Sequence, residues 1–237
     1  DNNFASIGRA VMWGRSLYQN IQRFVLFQMT VNIVACLIVL CGSFMGMQSP
    51  LTVTQMLWVN LIMDTFAAMA LASLPPSKSV MKDKPRSREA FIITRSMWTD
   101  IIGTGMVLFI ALTAFLYYLQ HTHITSLADI CRARIDGTGH DLSPYELSVF
   151  FTTFVFLQFW NMFNARAFAT GKSAFHFKGC RGFLLIALII LVGQIVIVTV
   201  GGRFFGVTPL GFYDWLIIIG ATSVVLWLGE IWRLIKK

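Results

Sequence analysis

Charge is scarce in this chain. Only 13% of its 237 residues are Asp, Glu, Lys or Arg, and mean hydropathy is +0.68. That excludes an ordinary soluble domain, in which about a quarter of residues are charged. Acidic residues are scarcer still, 11 against 19 Lys and Arg. The four cysteines make no Cys-x-x-Cys pair. Cys36 and Cys41 share an apolar run while Cys131 and Cys180 lie in separate loops, so neither a disulfide framework nor the thiolate pair of a soft-metal carrier is expected. There is no internal repeat, no low-complexity tract and no charged-then-apolar leader, so no cleavable signal is expected.

What is present is apolar length. Six runs, at about 24–46, 51–73, 98–120, 147–166, 183–202 and 212–232, are each near the ~20 residues a helix needs to cross the hydrocarbon core. The expected fold is all-α: a polytopic membrane bundle of six transmembrane helices over 24–237, with residues 1–23 a cytoplasmic hinge and lead-in helix. Pro75-Pro76 stops the second run, since proline lacks the amide donor. Trp98, Trp215, Trp227 and Trp232 fall near run ends, where interfacial aromatics belong.

Basic residues set the orientation. Arg9, Arg15 and Arg23 precede the first run. Lys78, Lys82, Lys84, Arg86, Arg88 and Arg95 follow the second, Arg166, Lys172, Lys178 and Arg181 the fourth, and Arg233, Lys236 and Lys237 the sixth. Only Arg132, Arg134 and Arg203 fall on the other side. The positive-inside rule makes the first group, and both termini, cytoplasmic. The +8 net charge is therefore topological, and no nucleic-acid partner is expected.

Within Gln55-Met56-Leu57-Trp58-Val59-Asn60-Leu61-Ile62-Met63-Asp64, Asp64 is the one carboxylate near the middle of a run. A charge at a helix centre costs roughly 2.5–3.5 kcal/mol on insertion scales, and such residues usually handle ions or protons. Asn60, four residues earlier, shares its helical face. Together they offer hard oxygens of the kind Ca²⁺ takes; the competing reading is a structural Asp bonded to a neighbouring helix. On the first run Gln28 and Asn32 share a stripe with Ala35. The short turn Met47-Gln48-Ser49-Pro50 puts Asn32 within reach of the Asn60–Asp64 face if the helices pack that way; otherwise Asn32 makes an interhelical hydrogen bond.

Other polar groups are weaker signals. Gln158, Asn161 and Asn164 cluster toward the cytoplasmic end of the fourth run. Gln194 is alone in the fifth. Glu230 and Arg233, three apart, predict an ion pair. The loop from Ser77 to Arg95 reads as a solvated basic loop or as a surface for a cytoplasmic domain, with Asp83 and Glu89 as acidic partners. The loop His121–Pro144 carries His121, His123, Asp129, Asp136, His140 and Asp141, but their spacing matches no compact metal motif, and Gly137-Thr138-Gly139 reads as an ordinary turn.

Three segments carry a family resemblance. Asn60-Leu61-Ile62-Met63-Asp64-Thr65, followed by Pro75-Pro76 and Met81-Lys82-Asp83-Lys84-Pro85-Arg86, resembles the sixth transmembrane helix and following loop of Ca²⁺-transporting P-type ATPases, most closely the plasma-membrane branch. Asp1 to Ile7 resembles the hinge where the phosphorylation domain returns to the membrane, and Gln158 to Arg166 resembles helix eight. The resemblance implies helices five to ten of a ten-helix pump: the ion-translocating part of an ATP-driven calcium pump in the plasma membrane. Asn60 and Asp64 match the helix-six ligands, and Asn32 a helix-five Asn of the two-site branch. Ala35, Met63 and Gln158 stand where that branch has ligands, which implies a single Ca²⁺ site. No Asp-Lys-Thr-Gly-Thr motif, nucleotide domain or Pro-Glu-Gly-Leu ligand occurs here. ATP and Mg²⁺ are therefore expected only in the full-length pump, and the missing N-terminal half and the lipid bilayer are the expected partners. The chain alone is expected to be inactive. The alternatives are a P-type pump for Na⁺, K⁺ or Mn²⁺, or a six-helix channel or scaffold.

Overall fold

The computed structural model describes residues 4–47, 49–76, 78–83, 91–130, 133, 135, 139–170, 173–177 and 179–235. The side chains of 61–64 and 129 lie outside that description. Helices account for all regular structure among the described residues: α1 (Phe4–Phe44), α2 (Val53–Leu57), a π-helical turn (Trp58–Met63), α3 (Asp64–Ala72), α4 (Arg95–Gln120), α5 (Pro144–Ala167), α6 (Arg181–Val200), α7 (Gly202–Phe205), α8 (Phe212–Thr222) and α9 (Val224–Ile235).

The residue boundary expected between hinge and membrane at 23/24 falls inside one continuous helix. α1 holds 41 residues, about 60 Å at 1.5 Å per residue. It ends in a tight turn. Gly46 has φ 73, and the Met47 amide donates back to the Gly42 carbonyl at 3.2 Å, a six-to-one closure that the left-handed residue permits. Pro50 then lies so close that a Cβ on Gly42 would sit 2.6 Å from its Cδ. Gln48, in that turn, is outside the described residues.

Start signals are local. Thr52 and Gln55 cap α2 reciprocally, Thr94 caps α4, and Ser143 with Glu146 caps α5 behind Pro144. The sixth run is two helices, broken at Ser223.

Among the described residues, five stretches are long and apolar enough to cross a membrane: Phe4–Phe44, Val53–Ala72, Arg95–Gln120, Arg181–Val200 and Phe212–Ile235. α5, 24 residues long, matches them in length but not in apolarity, and its position explains why. It packs against α1, α4, α6, α8 and α9 and is buried along most of its length. A helix screened from lipid can carry Thr152, Gln158 and Asn161, all buried. The outer faces are apolar instead: Leu185, Leu188, Val192 and Val196 on α6, and Leu228 and Ile231 on α9, are exposed.

The basic segments gather at one end. Arg15 Nη1 donates to the carbonyls of Val80 (3.0 Å) and Asp83 (2.9 Å), and Gln19 donates to the Asp83 carboxylate. So the stretch holding Asp83 docks on the chain's own first helix; Glu89 is outside the described residues. Arg23 donates to the Phe168 carbonyl at 3.1 Å and to Asn20. Burial, then the nearby Arg166, lower the Arg23 pKa to about 10, still far above neutrality, so it stays charged. The predicted Glu230–Arg233 pair is formed. The other end collects the loops after α1, α4 and α7. Cys36, Cys41 and Cys180 form no disulfide among the described residues; Cys131 is outside the described residues.

Candidate functional site

The helix expected to run unbroken from 51 to 73 is widened where the candidate ligands lie. Trp58 to Met63 form a π-helical turn, and Asp64 opens the α-helix that follows. Amides reaching five residues back enlarge the turn, and such turns are concentrated at functional positions. Residues 60 and 64, four apart, still fall on nearly one face of so wide a turn.

Braces hold this turn on both sides. Trp58 Nε1 donates to Gln194 Oε1 of α6 at 3.0 Å, and Gly193 lets the two helices approach, since a Cβ there would be 3.1 Å from the Trp58 ring. Upstream, buried Gln55 donates to the Phe205 carbonyl at 2.9 Å and Thr54 to that of Phe204 at 3.0 Å. Downstream, Gly182 fits against Ser73, and Asn20 of α1 donates to the Leu74 carbonyl at 3.2 Å. The lone polar Gln194 of the fifth run thus anchors the start of the turn, a partner no local pattern signals.

Asn60 and Asn32 are not caged. Asn60 is exposed, on a stripe with Val53, Leu57, Thr65 and Met69, and Asn32 is half-buried on α1. α1 does pack on α3, but among the described residues no hydrogen bond joins Asn32 to Asn60. The Asp64 side chain lies outside the described residues. Ala35 is 1% exposed and offers no side-chain oxygen. Gln158 is fully buried, and neither of its amide atoms has a hydrogen-bond partner; the same holds for Nδ2 of Asn161.

Asn164 has a structural role. Its Nδ2 donates to the Val225 carbonyl at 2.9 Å and its Oδ1 accepts from Arg233 at 3.0 Å, which locks α9 to the end of α5. A cavity of about 870 Å³ between α4, α5 and α9 touches Asp100, Asn161 and Asn164 but neither Asn32 nor Asn60. Two buried acids escaped the sequence reading, Glu146 and Asp214. Both accept backbone amides at helix starts, and burial together with Asp214 pushes the Tyr145 hydroxyl pKa well up.

A polytopic bundle of long apolar helices, one of them discontinuous, defines a multi-pass membrane protein. Residues 48–235 match the family model "Cation transporting ATPase, C-terminus", and the chain belongs to that family. It is 38% identical over 233 residues to "Plasma membrane calcium-transporting ATPase 2" of Oreochromis mossambicus, covering 98% of this chain and 20% of that protein. It is 36% identical over 219 residues to "Plasma membrane calcium-transporting ATPase 4" of Homo sapiens (91% and 17%), and 37% identical over 232 residues to "Plasma membrane calcium-transporting ATPase 1" of Mus musculus (96% and 18%). The chain spans about a fifth of the length of these relatives.

Proposed function

We propose that this chain is the ion-translocating membrane part of an ATP-driven Ca²⁺ pump of the plasma membrane, and that Asp64 and Asn60 supply oxygens to a single intramembrane Ca²⁺ site, with Asn32 in a lesser role. The observation that carries this reading is the braced π turn at Asn60, ending at Asp64. A widened turn beside a carboxylate is a local irregularity of the kind concentrated at functional positions, and a hard cation such as Ca²⁺ takes 6–8 oxygens. Exposed Asn60 leaves room on that face for ligands from another part of the pump. ATP and Mg²⁺ are assigned to the part of the relatives that this chain does not span. Six crossings with the basic end in the cytoplasm complete the proposal.

The test is Ca²⁺-dependent phosphoenzyme formation and vesicle Ca²⁺ uptake by the complete pump at matched expression. Asp64→Asn keeps the volume and loses the charge, and should abolish Ca²⁺ activation while the protein still folds. Asn60→Ala should weaken Ca²⁺ activation strongly, and Ala35→Ser should change it little. Near-normal apparent Ca²⁺ affinity in Asp64→Asn, or activation by Na⁺, K⁺ or Mn²⁺ in place of Ca²⁺, would overturn the reading.

A further inference from the structure

The loop after α4, whose spacing suggested no metal motif, folds so that His123, His140 and Glu146 converge. Their imidazole nitrogens and carboxylate oxygens all lie within 4.8 Å of one another. The two imidazoles stack with centroids 3.8 Å apart, and His140 Nε2 lies 3.3 Å from Glu146 Oε2. His123 is exposed, His140 half-buried and Glu146 1% exposed.

Each group is held by the fold. Glu146 stands in the first turn of α5, where its Oε1 accepts the Ile124 amide at 3.2 Å and its Oε2 the Ser143 amide at 2.8 Å. The His140 backbone amide donates to the Gln120 carbonyl at 3.0 Å, which pins the end of the loop to the last residue of α4. His123 follows the same helix end. The end of the loop and the first turn of α5 are thus fixed around one point that His123 adjoins, and the carboxylate is oriented by outer hydrogen bonds of the kind that tune metal ligands.

We propose that His123, His140 and Glu146 form a Zn²⁺ site, independent of the intramembrane ion path. Two imidazoles and one carboxylate are a borderline donor set that Zn²⁺ favours and that Ca²⁺ and Mg²⁺, which take oxygens, do not. Bonds of 2.0–2.2 Å in a tetrahedron place ligand atoms roughly 3.3 Å apart, the separation His140 and Glu146 already have. Exposed His123 needs only a side-chain rotation to close the third position. The fourth faces solvent and takes water. The ion ties the start of the loop, its end and the first turn of α5 to one centre.

The experiment uses the complete protein, purified in detergent and stripped with chelator, titrated with ZnCl₂ alone and followed by X-ray absorption at the zinc edge. One site with imidazole scattering and Zn–N of about 2.0–2.1 Å is expected. His123→Ala and His140→Ala should each weaken that site at least tenfold. Glu146→Gln, which keeps an acceptor oxygen for the cap, should do the same. His121→Ala, at a histidine outside the cluster, should leave it unchanged. His123 is exposed, so His123→Ala should elute and melt like the parent without metal and stays decisive if Glu146→Gln misfolds. Equal Zn²⁺ binding by the parent and the His123→Ala/His140→Ala double variant overturns the proposal, as does a zinc spectrum without imidazole; the cluster is then a hydrogen-bonded ion pair and no more.

Discussion

Two buried glutamines in neighbouring helices lead to opposite expectations. Gln194 accepts the Trp58 indole proton through Oε1, while its buried Nε2 has no partner. Gln194→Leu leaves that donor unpaired inside the bundle, which costs about 1–3 kcal/mol. Thermal unfolding of the complete protein in detergent should show a lower midpoint, with weaker Ca²⁺ activation because the π turn loses its anchor. Gln158 is as buried but has no partner for either amide atom. Gln158→Leu removes two unsatisfied groups at similar volume and should raise the same midpoint, since apolar replacement of an unpaired polar group is neutral or stabilising. If Gln158→Leu lowers the midpoint instead, that amide is satisfied in the folded pump. Sequence marks both glutamines as polar groups in apolar runs. Which one is paired depends on a helix more than a hundred residues away, and no spacing rule reaches that far.

The helices themselves were largely legible. Runs read as 98–120, 147–166 and 183–202 became Arg95–Gln120, Pro144–Ala167 and Arg181–Val200, with the differences set by caps: Thr94 before α4, Ser143 and Pro144 at α5. The π turn was not legible. Trp58 to Met63 contains no Gly or Pro, and within an almost wholly apolar run a change of helical period leaves no contrast to read. The break at Ser223 was hidden in the same way. The three-residue cluster in the loop was missed for another reason: spacing rules detect ligands on one local element, whereas His123, His140 and Glu146 meet through contacts between separate stretches, the His140 amide on the Gln120 carbonyl and the Ile124 amide on the Glu146 carboxylate. At this scale the hairpin between α1 and α2 carries a sharp test. Gly42→Ala forces a Cβ to 2.6 Å from Pro50 Cδ, and overpacking of this kind costs about 1–3 kcal/mol. A Gly42→Ala/Pro50→Ala double variant should recover most of the lost melting temperature. If it does not, the close approach is not the cause.

For the whole molecule, charge and contact agree. The segments bearing most of the basic residues converge at one end, through Arg15 on Val80 and Asp83, Arg23 on the Phe168 carbonyl, and Glu230 on the Ala174 amide. Charge counting needed no structure to sort the loops, because each crossing reverses the side. The proposed orientation predicts that a cysteine at Arg95 is shielded from a membrane-impermeant thiol reagent in intact cells and that one at Thr125 reacts. Labelling at 95 and protection at 125 would invert the topology; labelling at both would mean the six-crossing count is wrong.

The length of α1 has a mechanical consequence. About 30 Å of helix suffices to cross the hydrocarbon core, so roughly half of a 41-residue rod projects beyond it. The rod is fastened near its middle, where Asn20 donates to the Leu74 carbonyl and Arg23 to that of Phe168. A rod that pivots at those two bonds is a first-class lever. A tilt of about 10° on an arm of about 30 Å sweeps the far end by roughly 5 Å, close to the 5.4 Å pitch of a helix. The other arm, which carries Asn32, swings the opposite way, and Asn32, little more than half as far from the pivot as Phe4, moves a little over half as far with reversed sign.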